Sequence, residues 1–467
     1  MNFIKQIKIR GKFFVYAMLT TNKGFLGSVL KTALPLIFNN TVNYLITLTD
    51  NIFVGKLGDA AAGIAFCGMQ ISSVFIMLIS GIEGGILIGA AQSRGDGKER
   101  EARSIFAIGS AIALSLGVLI TVSALLFPRL LIAPFLKDAD ADSAARYLRL
   151  LSSSFIPSAI SVTLGAYLKA EEAAGGCFFA SLGALAVNFF LGRALIFGDL
   201  SFSPLGINGG AIAFSSGKIT EAVILLLFVI NLIIKHGKKP YLGKLSLLLF
   251  KNFISYSTPL VLGQIVWIIN TLFALFTVSG LNGGPELCAF SMVNTIGAAT
   301  YILPNALSTS LGVFISREVG RGERASLKKY TYISEISFIA LGALTSLLLI
   351  ALREPFVSIY NVSPEAKTLA IRLIGILAVT VPATVFSNSL LCAIVKSGGD
   401  VSFILKNDAF FIFLVLIPLT RILLRIDAPV PFIFLALKSD QILKCIPAAF
   451  RINRFRWARA VNKSEME

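Results

Sequence analysis

The stretch NNTVNYLITLTDNIFVG, residues 39–55, decides how this chain is read. Its surroundings are apolar enough to cross a bilayer, yet Asn39, Asn43, Thr47 and the carboxylate Asp50 recur about once per helical turn. That spacing puts all four on one helix face. In hydrocarbon such a face needs a partner or water, because a charged side chain at the bilayer centre costs at least about 2.5–3.5 kcal/mol.

The rest of the chain supports a membrane setting. It has 467 residues, 55% of them hydrophobic, with a mean hydropathy of +0.81. Only 14% are charged, against about 25% in an ordinary soluble chain. Long apolar runs recur, among them Ile105 to Phe127, Tyr332 to Leu352 and Leu369 to Val395. A span needs roughly 20 such residues, and nothing alternates at the period of a barrel strand. The expectation is an all-α membrane protein of twelve transmembrane helices. The net charge of +17 does not point to nucleic acid. Its lysines and arginines lie in short loops between apolar runs, where cytoplasmic loops collect positive charge. Cys67, Cys177, Cys288, Cys392 and Cys445 show no paired spacing, so they are expected as small core residues without disulfides or metal.

With the amino terminus inside, inner loops hold most of the basic residues and outer loops little beyond Arg129, Lys137, Arg353 and Arg425. Both termini are therefore expected in the cytoplasm. The chain also repeats itself. AQSRGDGKERE follows the second span and ISREVGRGERAS the eighth. Gly95 and Gly97 stand as far from Gly320 and Gly322 as Pro157 does from Pro382 and Phe135 from Tyr360; Pro35 and Pro259 open the first and seventh spans. Two halves of six spans, equally oriented, follow from an even span number. The expected divisions are a basic cytoplasmic segment at 1–27, one lobe at 28–234, a cytoplasmic linker at 235–251, a second lobe at 252–450 and a basic tail at 451–467.

Several motifs are similar to those of the multidrug and toxic compound extrusion (MATE) family. LPLIFNNTVNYLITLTDNIFVGKLGDAAAGIA, from Leu34 to Ala65, has the family's proline, its D-x-x-x-G ending and the small-residue start of the next span. AQSRGDG, VNFFLGRALIFG, GINGGAIAFSSG, PNALSTSLGVFISREVGRG and IVKSGGD extend the resemblance over nearly the whole chain. The resemblance implies two six-helix bundles forming a V-shaped central cavity. It also implies efflux of organic, often cationic, compounds against an inward flow of H⁺ or Na⁺. Asp50 matches the family's first-span acid and Asn188 the Asn that shares its site. The chain departs where many relatives carry a second Asp, which here is Gly192, followed by Arg193. The family's sixth-span Thr falls at Phe214, beside Ser215, and the seventh-span Glu of some members at Trp267. These departures leave a Na⁺ cage incomplete.

Burial disfavours the charged form of a carboxylate, so Asp50 is the leading ion-coupling candidate; the plain alternative is a hydrated acid at the interface. Asn43 and Thr47 share its face, and Asn39 and Asn43 are equally able to bond a neighbouring helix. Glu83, inside LISGIEGGILIGAAQ, is a second titrating group or one half of a local salt bridge. Arg193 is a counter-ion to Asp50 or Glu83, a cavity residue, or an arginine reaching outward. Lys218 and Glu221 form an internal ion pair. Gln264, Asn270 and Asn294 are candidates for the substrate cavity or for helix–helix hydrogen bonds.

The glycine loops lack G-x-x-x-x-G-K-[ST] after a strand, so no nucleotide site is expected. The only histidine, His236, lies in the basic linker, and without a catalytic constellation no enzyme is expected. The function expected is ion-coupled export of organic, cationic compounds by alternating access. The alternative is a lipid-linked oligosaccharide flippase of the same superfamily, for which Arg193 and Arg372 would speak. Expected partners are a small organic substrate, H⁺ or Na⁺ and membrane lipid, with no cofactor, no metal and no nucleic acid. The protein is expected to work as a monomer in the cytoplasmic membrane.

Overall fold

The structure is a computed structural model describing residues 23–135, 140–199, 203–235, 246–280, 284–360 and 362–461. Among the described residues every regular element is helical. The long ones are α1 (Lys23–Gly55), α2 (Asp59–Gly95), α3 (Glu99–Leu126), α4 (Ala141–Ala170), α5 (Gly175–Phe197), α6 (Ile207–Lys235) and α7 (Leu247–Ser279). Then come α8, made of Gly284–Thr300 and Ile302–Arg321, and α9 (Arg324–Ser358), α10 (Pro364–Lys396) and α11 (Val401–Arg425). The last, α12, is broken into Val430–Ala436, Ser439–Leu443 and Cys445–Asn453. Among the described residues, helices α2 to α11 are the ten long and apolar enough to cross a membrane. The two others carry polar loads: α1 the stripe that ends at Asp50, and α12 Lys438, Asp440 and Lys444. Together they make the twelve spans expected.

Local sequence sets where helices start and stop. Asp140 caps α4 by accepting the backbone N–H of Asp142 at 3.0 Å, and Ser363 caps α10 through Ala366 at 3.3 Å, with Pro364 at the first helical position. Such oxygens satisfy N–H groups that a helix start leaves open. Helices α5 and α8 end on Gly198 and Gly322 at φ +81° and +75°, where an L side chain would be strained. Exposed Leu119, Leu126, Leu227, Leu347 and Leu414 lie on helix flanks. Apolar exposure on that scale marks a surface meant for lipid.

The chain divides into two compact units. One, here the amino-terminal unit, comprises Leu34–Ser93 and Lys98–Gln264; the carboxy-terminal unit comprises the chain up to Ala33, Arg94–Gly97 and everything from Ile265. The divisions at Ala33, Ser93 and Gln264 fall inside helices, α1, α2 and α7. Within the amino-terminal unit, α2 meets α7 along Gly81, Gly85 and Gly89. A Cβ on them would meet the Val261 backbone, the Ser257 hydroxyl and the Tyr256 hydroxyl. Bare glycines let two helix backbones approach closely. Within the carboxy-terminal unit, α10 supplies much of the core through Leu373, Ile374, Ala378, Leu390 and Ile394. Wide π turns interrupt α10 at Val385–Leu390 and Cys392–Lys396 and α11 at Ile412–Leu416. Such turns leave backbone groups open and recur at functional sites.

Most of the basic segment 1–27, Lys137, His236 and the linker residues 236–245 lie outside the described residues, as do the last residues of the tail from 462.

Candidate functional site

The amino-terminal unit builds a site around Asp50. The carboxylate sits half-buried on α1, and the Asn188 side-chain amide of α5 donates to its Oδ1 at 3.1 Å. Asn188 is buried, at 2% exposure, and its own Oδ1 has no hydrogen-bond partner. Helix α6 comes close because Gly217 packs on Asn188 and on the Ala184 carbonyl. The next residue, Lys218, holds Glu221 at 2.8 Å while its charge reaches Asp50. From α4 the fully buried Tyr147 also lies within the field of Asp50, and its hydroxyl has no partner. Asp50 thus meets the Asn188 amide and lies within the field of the Lys218 ammonium and the Tyr147 phenol, beside two polar atoms with unmet hydrogen-bonding capacity. Buried polar atoms are seldom left so, because each costs about 1–3 kcal/mol. The arrangement can bind and release a proton.

The rest of the first-span stripe does other work. Ser181 of α5 donates to Asn39 Oδ1 at 2.6 Å. Asn43 reaches Ser181 Oγ at 3.4 Å and the Asn39 carbonyl at 3.0 Å. These two asparagines tie α1 to α5. Thr47 is exposed and bonds back to the Asn43 carbonyl. Gly192, where relatives have an acid, packs on the Phe53 ring: a Cβ there would lie 3.2 Å from its nearest carbon. Phe53 is itself wedged against Phe189 and Phe197. A Gly192→Asp variant is therefore expected to lose about 1–3 kcal/mol of stability to overpacking without gaining a Na⁺ site. A thermal midpoint equal to wild type, with Na⁺ now raising it, would contradict this.

Glu83 has a partner that the sequence did not reveal. Lys169 of α4 holds it at 2.6 Å, both side chains 19% exposed. Glu221 lies within the field of the same lysine, so Glu83, Lys169, Glu221 and Lys218 form a balanced group of four charges. Arg193 pairs with the nearby Asp199 at 2.5 Å on an exposed face, not with Asp50 or Glu83. Arg372 is exposed as well. Gln264 is half-buried on α7. Asn270 is buried with its Oδ1 unpartnered, and Asn294 is exposed on α8.

The carboxy-terminal unit has acids of its own. No glutamate stands at Trp267, but the Trp267 indole donates to Asp408 of α11 at 3.1 Å. Lys444 bridges Asp408 and Asp440, at 2.9 Å and 2.8 Å. Sequence reasoning missed this cluster. One signal was present: Asp440 and Lys444, one helical turn apart inside an apolar run, cannot both face lipid.

A profile of the MatE family matches residues 35–192 and 259–422. One profile fitting the chain twice, starting at Pro35 and Pro259, agrees with the repeat seen in the sequence. Over 368 residues the chain is 23% identical to the multidrug resistance protein NorM of Burkholderia vietnamiensis, covering 75% of this chain and 76% of that one. Among solved structures, the Vibrio cholerae MATE transporter VcmN in its bent form matches with a TM-score of 0.79 at 17% identity, covering 93% and 97% of the two chains. The eukaryotic MATE transporter AtDTX14 matches with a TM-score of 0.80 at 15% identity, covering 96% and 98%. These two show a shared fold of twelve helices in two bundles.

Proposed function

The chain belongs to the MatE family of multi-pass membrane transporters, and from that premise we propose that it exports small organic cations in exchange for protons, with Asp50 as the coupling carboxylate. A transporter releases its substrate chemically unchanged, and the chain is not an enzyme. The observation that carries the proposal is the Asp50–Asn188 pair, with Tyr147 and Lys218 around it.

The mechanism follows from charge. An ionised Asp50 held away from water is stabilised by the Asn188 amide and by the ammonium of Lys218. Proton binding removes that charge, and Lys218 then has only Glu221 to neutralise. One proton thus changes the balance of attraction among α1, α5 and α6, the three helices that supply these groups. That is a differential contact of the kind that can bias a two-state equilibrium. A Na⁺ ion would need several convergent oxygens and would sit beside a fixed ammonium. The departures at Gly192 and Phe214 remove oxygens the relatives supply. The half-buried Gln264, the buried Asn270 and the exposed Asn294 are the polar groups we assign to the substrate in the second lobe. Lobes at 28–234 and 252–450, a cytoplasmic linker at 235–251 and cytoplasmic termini fit the placement of lysine and arginine. The flippase alternative gains nothing from Arg193, whose charge is taken up by Asp199.

The test uses purified protein in ATP-free liposomes loaded with fluorescent organic cations. A pH gradient and a Na⁺ gradient are imposed separately. Efflux is expected to follow the pH gradient and to collapse with a protonophore. Efflux that answers only to Na⁺, or that requires ATP, overturns the proposal.

A further inference from the structure

The cluster in the carboxy-terminal unit is set well away from solvent. Lys444 and Asp440 are fully buried, and the Asp408 side chain is 7% exposed. The Lys444 ammonium sits between the two carboxylates and 4.9 Å from the centre of the Trp267 ring. Four helices supply the shell: Trp267 from α7, Thr384 from α10, Asp408 from α11, and Asp440, Gln441 and Lys444 from α12. The Thr384 hydroxyl donates to Gln441 Oε1, and Tyr301 faces Thr384, Gln441 and Asp440.

Two carboxylates share one ammonium as their ion-pair partner. Lys438 lies within the field of Asp440 but makes no direct ion pair with it, and its ammonium sits over the Phe434 ring, 5.6 Å from the centroid. Cys392 and Lys396 lie on the α10 side and Cys445 on α12, where its thiol bonds the Ala383 and Gln441 carbonyls. One oxygen of the group is left open: Asp440 Oδ1 is buried with no hydrogen-bond partner. An orphaned oxygen on a buried carboxylate carries a heavy penalty unless something bonds it. The π turns Val385–Leu390 and Ile412–Leu416 both pack on the short helix that bears Asp440, so the surrounding backbone is irregular just there.

We infer that Asp408, Lys444 and Asp440 form a second protonation site, which binds and releases one proton per chain independently of Asp50. The proton belongs to the group rather than to one carboxyl, because the two acids share a single lysine. Na⁺ does not serve, since the ammonium already occupies the space between the carboxylates.

Trp267 is a built-in reporter, because its indole touches both Asp408 and Lys444. The experiment follows tryptophan emission of the purified full chain in detergent as pH is lowered. Wild type is expected to show a protonation step. Asp50→Asn should keep it, and Na⁺ added at constant pH should not reproduce it. Asp440→Asn leaves a neutral Asp408–Lys444 pair, folds, and loses the step. Asp408→Asn leaves the neutral Asp440–Lys444 pair and loses it too, which covers the case of one variant failing to fold. The inference is overturned if wild type shows no step, if either cluster variant retains it, if Asp50→Asn abolishes it, or if Na⁺ mimics it. Because the readout is proton binding rather than transport, its failure is separate from any failure of the Asp50 proposal.

Discussion

Asp50→Asn is expected to abolish gradient-driven efflux while leaving a folded, inserted protein. The substitution keeps the side chain's shape and its ability to accept from Asn188, so the contact between α1 and α5 survives. It removes only the titration. Lys218 then has nothing to answer but Glu221, whatever the pH, and the equilibrium between conformations no longer responds to the gradient. The comparison is made in proteoliposomes at matched protein density, with substrate binding measured alongside. Binding should persist while efflux falls to the leak of protein-free vesicles. Wild-type export by Asp50→Asn would remove Asp50 from the coupling role. Glu83 would be a poor replacement, since Lys169 already holds it.

The second large effect concerns stability. Lys444→Met is expected to destabilise the carboxy-terminal unit by about 3–5 kcal/mol, the usual penalty for leaving a buried charge without its partner. Here two carboxylates lose their shared ammonium at once. That is a large part of the roughly 5–15 kcal/mol that holds a folded chain together. Thermal unfolding in detergent should show Lys444→Met melting far below wild type, or failing to yield monodisperse protein. Neutralising both acids in the same background, with Asp408→Asn and Asp440→Asn, should restore the midpoint. If the triple variant melts as low as Lys444→Met, the loss lies in packing rather than charge. A single variant as stable as wild type would mean that the cluster is not balanced by this lysine.

How much of this was legible beforehand depends on what each feature requires. Apolar runs and loop charge are local, and they revealed the helical spans without any knowledge of contacts. Asp50 stood out because an acid within a span is costly wherever the chain folds. The matched prolines at 35 and 259 were visible as a repeat. Pairing was not legible. Glu83 meets Lys169 across α2 and α4, and Asp408 meets Lys444 across α11 and α12. Both pairs depend on which helix faces come together. For Arg193 the sequence left a buried counter-ion and an arginine reaching outward both open; the helix end at Gly198 lets it reach the exposed Asp199, which is the second of these. Asn39 and Asn43 looked like part of one polar track with Asp50. They prove to be fasteners to Ser181, because they lie about two and three helical turns from Asp50, far enough along α1 to meet a different part of α5.

The glycine seam between α2 and α7 bears on how this chain can vary. At Gly81, Gly85 and Gly89 a single added carbon already collides with Val261, Ser257 or Tyr256. No amino acid is smaller than glycine and none is intermediate between it and alanine. A mutation at any of the three is therefore a full step, not a graded one, and no gentle path of single changes leads away from them. A compensating change must come from the opposite helix. At Ser257 and Tyr256 a smaller side chain would open the room; at Gly81 the obstacle is the Val261 backbone, which no substitution removes. Of the three positions, Gly81 is the one whose identity the geometry fixes outright.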